Sequence, residues 1–396
     1  MAAGMVTNWS SLGAATAGRS ALVGNLRTNW SRDPLSFGSY SYAAKVEKPG
    51  DREELARPIR ESLYFAGEAC HPSYNSTVHA AYESGQMTAQ AVAATSAQRI
   101  GIIGAGMSGL SAAHALSSLG REVTVFEARD RIGGRVWTST DLDAPLDLGA
   151  SWIHGPNCNP LTTLADGLGL ARLRTADSYA VRGGDGKKLG MFAAPGWLFE
   201  ENEVQVAFGV DPDLLDPRIV GKGDGYSGAD VIFAEGYSPL LAALEGGYDV
   251  QLAAQVETVS IGQDSVVIGL GDQSSSAFDA VIVTVPLGVL KAGSIAFDPR
   301  LPDEKLAAIS RIGMGTLDKL YLRFESAFWD DKTWIHTPDT GRPRGQFNQW
   351  MNLQPYLGEP ILLAFNGGSA AHALAELSDE DMPKAALATL DAAYPG

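Results

Sequence analysis

The sequence predicts an α/β (α+β) fold, in which a Rossmann-like dinucleotide-binding domain is interleaved with a second domain of mixed sheet and helices. Two observations carry this prediction. A glycine-rich turn joins an apolar strand to a helix near residue 104, and this arrangement is typical of the dinucleotide-binding unit. The chain of 396 residues is also too long for one simple hydrophobic core, so two domains are expected.

The unit around the glycine-rich turn is predicted element by element. Ile100–Ile103 is a short apolar strand, and a helical stretch follows at Leu110–Leu119. Gly120 ends that helix, and Val123–Phe126 is a second strand that ends at Glu127. Strand, turn, helix, strand and terminal acid in this register favour a bound dinucleotide far more than the glycine spacing alone would.

The three glycines of the turn have distinct expected roles. Gly104 permits the tight turn, Gly106 lets the backbone approach a pyrophosphate, and Gly109 allows the helix to pack closely on the strand. The helix N-terminus offers free N–H groups and a partial positive charge to the phosphates. Glu127 can accept hydrogen bonds from the hydroxyls of the adenine ribose.

A second glycine turn follows the terminal acid. Arg131–Arg135 contains Gly133 and Gly134, and Arg129 and Arg135 bring cations to the predicted phosphate site. This extension resembles the FAD-binding flavoproteins of the GxGxxG type rather than the NAD dehydrogenases. The resemblance implies FAD as the cofactor, in contact with both glycines and both arginines.

The composition limits the classes of partner. The formal net charge is −16, which disfavours nucleic acid and anionic membranes because both need a basic surface. The same charge favours a cationic substrate, although a solubilising acidic surface explains it equally well. Cys70 and Cys158 give neither metal-ligand spacing nor a disulfide framework. We therefore expect no metal and a reducing, cytoplasmic compartment, and no apolar run is long enough to span a bilayer.

Four segments after this signature resemble the flavin-containing amine oxidases, in the branch of the polyamine oxidases and lysine-specific histone demethylases. They occur in that family's order: Leu146–Gly155, Val281–Leu290, Gly313–Leu320 and Gly358–Gly396. The resemblance extends over roughly residues 26–396 and is weakest at Arg182–Tyr226. That segment is shorter than the family's helical substrate-binding segment.

The family's remaining motifs stand before the FAD signature instead of after it. Thr28–Tyr42 resembles one of them, and Leu63–Cys70, continuing through residues 76–85, resembles the last. The short polar join Ala94–Gln98 connects the family's final helix to its first strand, which is feasible where natural termini lie close together. We therefore expect a circularly permuted chain, natural or engineered.

The permuted order predicts discontinuous domains. Residues 55–160 and 230–290 form the expected FAD-binding domain, and residues 28–54, 161–229 and 291–396 form the expected substrate-binding domain. Residues 1–27 are a leader of uncertain structure, poor in acidic residues. Its composition resembles an organellar transit peptide, and a flexible non-native leader explains it equally well.

The resemblance also implies the chemistry. A hydride leaves the amine-bearing carbon for flavin N5, water hydrolyses the imine, and O2 reoxidises the flavin with formation of hydrogen peroxide. The expected partners are a small cationic amine, in the first place a polyamine, and O2. Because the cofactor carries the hard chemistry, the protein supplies orientation, a dry cavity and electrostatics. The oligomeric state is not predicted.

Four residues are implied in the chemistry. Lys319 matches the lysine that holds a water against flavin N5, where an ordinary strand lysine would face solvent. Tyr40 matches the aromatic residue that walls the substrate amine, and the facing wall is Thr77. His154 matches a histidine near the substrate in polyamine oxidases, although a lone histidine is more often a satisfied core residue.

Further residues are implied in flavin binding. Trp30 matches a tryptophan packed beside the flavin, and Glu68 is expected to contact the ribityl chain. Ser39 stands where monoamine oxidases carry the cysteine that is tethered to the flavin, so the FAD is expected to be non-covalent. The remaining expected contacts are Gly67, Thr77, Val78 and Val256.

Three alternatives remain open at this point. An L-amino-acid oxidase, or another FAD oxidoreductase of the same fold, would need an arginine that faces the substrate carboxylate. A non-catalytic FAD-binding scaffold would result if the shortened segment had removed the substrate pocket. A histone demethylase would need docking surfaces for a chromatin tail, and no appended domain of that kind is visible.

Overall fold

The computed structural model describes residues 6–8, 20–190, 193–200, 202–220, 225–338 and 340–395. Within them the chain has the mixed α/β architecture expected from the sequence, with layers of parallel and antiparallel sheet covered by helices. Most of the predicted leader lies outside the described residues. No helix in the described ranges is long and apolar enough to cross a bilayer.

A five-stranded parallel sheet forms the dinucleotide-binding layer. In spatial order its strands are β14 (Asp249–Gln251), β6 (Glu122–Phe126), β5 (Arg99–Ile103), β18 (Ala280–Val283) and β4 (Leu63–Phe65). Every residue of β4 and β18 is buried, as parallel strands covered on both faces require. The carboxyl ends of β5 and β6 therefore meet at one edge of the sheet, where ligands bind in such folds.

The crossover helix between β5 and β6 is α3 (Met107–Ser118), which packs against α2 (Val78–Ala93). It begins three residues before the predicted start at Leu110, because Gly106 has the extended conformation of an N-cap (φ −77°, ψ 178°). Gly109 thus lies in the first turn of the helix rather than before it. This shift brings the helix N-terminus directly onto the glycine turn.

An eight-stranded, mostly antiparallel sheet forms the second large layer. Its order is β1 (Val6–Asn8), β2 (Leu22–Arg27), β21 (Leu317–Phe324), β24 (Ile361–Gly367), β23 (Gln349–Asn352), β22 (Trp334–His336), β11 (Tyr179–Arg182) and β12 (Lys188–Leu189). The central strands β21 and β24 pair Lys319 with Phe365. Both residues of this pair reach the cavity described below.

The smaller sheets connect these layers. A four-stranded sheet contains β17 (Ser275–Phe278), β16 (Val266–Leu270), β15 (Val256–Ile261) and β19 (Ala296–Asp298), and a three-stranded sheet contains β10 (Arg172–Arg174), β13 (Val231–Phe233) and β9 (Trp152–Ile153). Two-stranded sheets pair β20 (Gly313–Gly315) with β3 (Tyr40–Tyr42), and β7 (Thr138–Ser139) with β8 (Leu146–Asp147). The other α-helices of the described chain are α1 (Asp51–Ala56), α4 (Pro160–Leu168), α5 (Gly196–Glu200), α6 (Asn202–Phe208), α7 (Leu287–Ala292), α8 (Asp303–Arg311), α9 (Gln354–Leu357), α10 (Gly368–Leu374) and α11 (Asp381–Ala393).

Two strand pairings cross the domain boundaries expected from the sequence. β2 lies in the segment assigned to the leader, yet it pairs with β21 over Leu22 to Arg27. β19 lies beyond residue 290, yet it pairs with β15 of the expected FAD-binding domain. Both pairings join residues far apart in sequence, so local composition does not indicate them.

Candidate active site

One cavity of about 800 Å³ connects the glycine turn to the centre of the eight-stranded sheet. At one end it is lined by Gly104, Gly106 and Glu127, and at the other end by Lys319 and Phe365. All the residues singled out for cofactor or substrate except Gly109 line this same cavity. Gly109 packs just behind the turn.

The glycine turn is shaped by close backbone contacts. Gly104 has φ +104°, and a Cβ atom on Gly109 would lie 1.9 Å from the carbonyl oxygen of Gly104. A Cβ on Gly106, by contrast, would meet nothing closer than 3.9 Å. The fold itself therefore requires glycine at Gly109, whereas Gly106 leaves open space on the cavity side.

The N-terminus of α3 faces this space. The first N–H groups of a helix have no intrahelical acceptor, and no side chain caps α3. These donors, with the positive end of the helix dipole, suit a pyrophosphate. The donor set and the open glycine cradle therefore fit the diphosphate of FAD.

The acid at the end of β6 has its carboxylate fixed by the backbone. Glu127 is buried, and its Oε2 accepts from the N–H of Ala105 at 2.8 Å while its Oε1 accepts from the N–H of Arg129 at 2.9 Å. Each oxygen retains further lone pairs. Glu127 can therefore accept ribose hydroxyls with its position already set.

Arg129 and Arg135, the two arginines in the described lining of the cavity, are both paired with carboxylates. The Arg129 guanidinium lies 2.6 Å from the buried carboxylate of Asp33, and the Arg135 guanidinium lies 3.0 Å from Glu68. Arg135 also donates to the carbonyl of Ser39 at 3.0 Å. These arginines therefore connect the glycine turns to the segment 33–39 instead of presenting free positive charge.

Glu68 is a buried carboxylate that accepts hydrogen bonds from four donor groups. Its oxygens accept from the Ser41 N–H and hydroxyl, the Ser76 N–H and the Arg135 guanidinium. Burial alone would raise its pKa, but Arg135 and Ser41, with Arg52 nearby, hold the pKa of this carboxyl below its ordinary value. Glu68 therefore fixes three segments of the cavity wall as a carboxylate.

The wall near residue 30 is built from side chains with satisfied polar groups. Trp30 is buried, its indole N–H donates to the carbonyl of Leu148, and its backbone N–H donates to the carboxylate of Asp318. The Ser39 hydroxyl donates to the carbonyl of Leu317 at 2.9 Å and accepts from the N–H of the same residue at 2.8 Å. Ser39 thus joins the wall to β21.

Lys319 is buried with its ammonium group at the cavity wall. Its Nζ donates to the carbonyls of Asp147 (2.7 Å) and Gly149 (2.6 Å) and to the hydroxyl of Ser151. Burial lowers the pKa of Lys319 to about 8, although the negative charge of Asp147 acts to raise it. The solvent-facing alternative for this lysine is wrong, because only 4% of the residue is exposed.

An aromatic ring lies beside the ammonium of Lys319, and further rings pack against it. The Trp152 ring centroid lies 5.8 Å from Nζ, and Trp152 contacts Phe365 at 5.9 Å and stacks with Trp334 at 6.3 Å. Tyr40 also lines the cavity, and its hydroxyl donates to the carbonyl of Val206 at 2.8 Å. The cavity therefore has an aromatic chamber suited to a cationic ligand.

Thr77 and His154 line the cavity but have structural partners as well. The Thr77 hydroxyl accepts from the Ala80 N–H as the N-cap of α2 and donates to the carbonyl of Tyr74. The His154 ring nitrogen Nδ1 lies 2.7 Å from the carboxylate of Asp230, on an exposed side chain. Val78, Gly67 and Val256 contribute to the lining.

Several lining residues were not found from the sequence. Ser151, Trp152, Trp334, Phe365 and Asp230 have no role among the sequence predictions, although all of them line the cavity. Ser151 and Trp152 lie inside the segment Leu146–Gly155, so its resemblance to a family motif was the available signal. Phe365 likewise lies inside the resembling segment Gly358–Gly396, whereas Trp334 lies in none of these segments and had no such signal.

Comparison with protein families agrees with this geometry. The family described as flavin-containing amine oxidoreductase matches residues 21–93, 107–196 and 182–396. The chain belongs to this family. Its cofactor is FAD, and the enzyme is an FAD-dependent amine oxidoreductase. A second model, the pyridine nucleotide-disulphide oxidoreductases, matches residues 66–140, which include the glycine turn.

Two plant polyamine oxidases are similar to this amine oxidoreductase over about 70% of their own length. Polyamine oxidase 5 of Oryza sativa subsp. japonica is 31% identical over 74% of this chain and 72% of that protein. Probable polyamine oxidase 4 of Arabidopsis thaliana is 31% identical over 70% and 68%. Lysine-specific histone demethylase 2 of Homo sapiens is 27% identical, and only 43% of that protein is covered.

The fold of the amine oxidoreductase also resembles a solved flavoenzyme. Putrescine oxidase, in its wild-type structure bound to putrescine, superposes with a TM-score of 0.55 at 20% identity, over 75% of this chain and 81% of that one. At this identity the similarity concerns the fold alone. It agrees with the α/β architecture described above.

Proposed function

We propose that this enzyme oxidises polyamines with O2 as the electron acceptor. The observation that carries the proposal is the single cavity lined both by the glycine cradle and by the aromatic chamber around Lys319. Asp177 and Asp230 also line it, and carboxylates beside aromatic rings suit ammonium groups. The similarity to polyamine oxidases supports the same substrate class.

Each residue has a proposed task. FAD, when bound, would supply the hydride acceptor and the group that O2 reoxidises. Gly104, Gly106, the α3 N-terminus and Glu127 hold its diphosphate and ribose end, and Trp30 and Glu68 fix the wall beside its ring. Tyr40, Trp152 and Phe365 surround the substrate amine and exclude water.

Lys319 is proposed to hold a positive charge and a water beside the flavin ring. Its three N–H bonds have three acceptors, so a water can bind only by replacing one of them. Two acceptors are backbone carbonyls, whereas the Ser151 hydroxyl can rotate away. Ser151 is therefore the acceptor that we expect the water to replace.

The charges of the cavity support an amine over an amino acid as substrate. An amino-acid oxidase needs an arginine free to bind the carboxylate. Among the described residues, the arginines that line the cavity are Arg129 and Arg135, and each is paired with a carboxylate. No arginine of the described lining is therefore left for a substrate carboxylate.

We also propose that the chain order is a circular permutation of the family order. The Ala21 carbonyl accepts from the N–H of Glu325, and the Tyr394 ring packs on Phe328 at 5.8 Å. The start of β2 and the end of α11 thus lie against the same loop, a separation that a short natural connection could span. At the join, Arg121 donates to the carbonyls of Ala93 and Thr95.

The compartment is inferred from the thiols. Cys70 is buried and Cys158 is exposed, and they are not joined. Free thiols suit a reducing compartment, so we infer a cytoplasmic location. The acidic net charge of −16 supports the absence of nucleic-acid and membrane partners.

The substrate proposal is tested by measuring the reaction products. The purified holoenzyme is incubated in air with spermine, spermidine, N-acetylated polyamines, benzylamine and L-amino acids, and peroxide and aldehydes are measured. We expect peroxide with polyamines only, and the aldehyde identifies the C–N bond that is cleaved. Peroxide from L-amino acids alone would contradict the proposal.

The permutation is tested by restoring the family order. A variant connects residue 395 to residue 20 through a short flexible linker and opens the chain between Ser96 and Ala97. We expect the same flavin absorbance and a similar melting temperature. Failure to fold at every linker length tested would contradict the proposal.

A further inference from the structure

A second cavity of about 350 Å³ adjoins the main one. The two cavities share Asp177 and Trp334 in their walls. The remaining walls come from β11, α5, α6, β22 and β23: Tyr179, Phe199, Glu203, His336 and Gln349. We call this space the side cavity.

The side cavity has the composition of an ammonium site. Tyr179, Phe199 and Trp334 contribute aromatic rings, and Asp177 and Glu203 contribute carboxylates. Burial raises the pKa of the Glu203 carboxyl. The described lining contains neither lysine nor arginine. Aromatic faces and carboxylates in a lining of this kind attract a cation.

His336 adds an independent observation. It is 4% exposed, burial lowers its pKa to about 4, and its ring contacts Phe199 at 5.5 Å. Among the described residues, Nδ1 of His336 has no hydrogen-bond partner. A buried polar atom without a partner is unfavourable, and a neutral imidazole can accept a hydrogen bond from an ammonium N–H.

The position of the side cavity relates it to the amine that is oxidised. Trp152 lies 5.8 Å from Nζ of Lys319, and Trp334 stacks on Trp152 at 6.3 Å. Trp334 then borders the side cavity. Two successive aromatic rings therefore separate Lys319 from this second space, and an extended ligand is needed to reach both.

We propose that the side cavity binds the second ammonium group of the substrate while the reacting amine lies in the aromatic chamber. This inference rests on the proposed polyamine oxidation. Asp177 and Glu203 hold the distal charge, Trp334 and Phe199 cover it, and His336 accepts one N–H. The enzyme consequently prefers amines with a distant second charge over monoamines.

The inference is tested with Glu203→Gln and His336→Phe, which respectively remove a charge and an acceptor from the side cavity. Holoenzyme kinetics are measured with spermine and with a spermine analogue in which one terminal amine is replaced by a methyl group. We expect KM for spermine to rise about fivefold in each variant, with kcat within about twofold. KM for the methyl analogue is expected to stay constant.

The control is Glu304→Gln, which removes the same charge from an exposed position on α8. It should leave both KM values unchanged, and FAD content and melting temperature verify folding of every variant. Equal shifts in KM for spermine and the methyl analogue, or no shift for spermine, would overturn the side-cavity proposal. If no amine reduces the wild-type flavin, the proposed function itself fails instead.

Discussion

The ammonium group of Lys319 lies 2.6 Å from the carbonyl oxygen of Gly149, at the wall of the cavity that also contains the glycine turn. A Cβ atom on Gly149 would lie 1.7 Å from the carbonyl of Arg135. The backbone that holds Lys319 is therefore packed against the second glycine turn. This contact couples the expected cofactor cradle to the expected catalytic lysine.

Replacing Lys319 by methionine should slow flavin reduction or reoxidation by more than tenfold while FAD stays bound. The charge of the ammonium stabilises negative charge that develops on oxygen beside the flavin, an effect worth on the order of tenfold or more. Both half-reactions are measured by stopped-flow absorbance. Lys332→Met, at an exposed position, is the control, and unchanged rates in both half-reactions would remove Lys319 from the mechanism.

The same lysine predicts a pH dependence. Its pKa is lowered to about 8, so the side chain is charged below pH 8 and loses its proton as the pH rises through that value. The reoxidation rate of substrate-free reduced enzyme should fall over this range. In Lys319→Met the reoxidation rate should be low and independent of pH. If this variant instead kept the pH dependence of the wild type, the titration would belong to another group.

The two glycines of the cradle should respond differently to alanine. Gly109→Ala forces a Cβ to within 1.9 Å of the Gly104 carbonyl, so we expect loss of folding or a large fall in melting temperature. Gly106→Ala has room in the protein, and its apoprotein should melt within about 3 °C of wild type. Its affinity for FAD should fall about tenfold or more, because the methyl group occupies the place of the pyrophosphate.

Fluorescence titration of FAD and thermal unfolding of the apoproteins distinguish these outcomes. Gly167→Ala in α4 meets nothing within 4 Å and should stabilise the protein by about 0.5–1 kcal/mol without affecting FAD. Normal FAD affinity in Gly106→Ala would contradict the assignment of the cradle.

Glu68→Gln should destabilise the protein at neutral pH by about 3 kcal/mol, because it removes the buried negative partner of Arg135. The pKa of Glu68 is held below its ordinary value of 4.5 in the folded protein. Its contribution is therefore present above the unfolded pKa and is lost as the pH falls through the lower, folded one.

Urea unfolding at pH 7 and at pH 4 measures this dependence. The difference between wild type and Glu68→Gln should narrow on acidification. A difference that is the same at both pH values would mean that packing, and not charge, accounts for the effect. Glu304→Gln again supplies the exposed control.

The FAD should be released when the protein is denatured. Ser39 has a hydroxyl rather than a thiol, and that hydroxyl is hydrogen-bonded twice to the backbone of Leu317. Acid precipitation should therefore leave the yellow colour in the supernatant. Colour that stays with the precipitate would show a covalent attachment elsewhere.

The parts of the site that could be predicted from the sequence depend on short-range patterns. The turn from Gly104 to Gly109 and the acid Glu127 lie within one strand–helix–strand unit, whose spacing predicts both fold and ligand. The helix start was misplaced by three residues, because a glycine N-cap is not visible in apolar periodicity. Lys319 was found only through the resemblance of its surrounding motif.

The rest of the site depends on contacts between distant residues. Lys319 and Asp147 are 172 positions apart in the chain, and His154 and Asp230 are 76 apart. Strand pairing brings Phe365 opposite Lys319, and helix and strand packing bring Trp334 to Trp152. No local pattern encodes these distances, so the aromatic chamber and the side cavity required the structure.

The most direct test is anaerobic mixing of the yellow protein with candidate substrates while the flavin absorbance is recorded. The substrates are spermine, spermidine, N-acetylated polyamines, benzylamine and L-amino acids. The account predicts that polyamines bleach the flavin and that air restores the colour with formation of peroxide. Bound FAD that no amine bleaches would contradict polyamine oxidation and favour a non-catalytic FAD-binding scaffold.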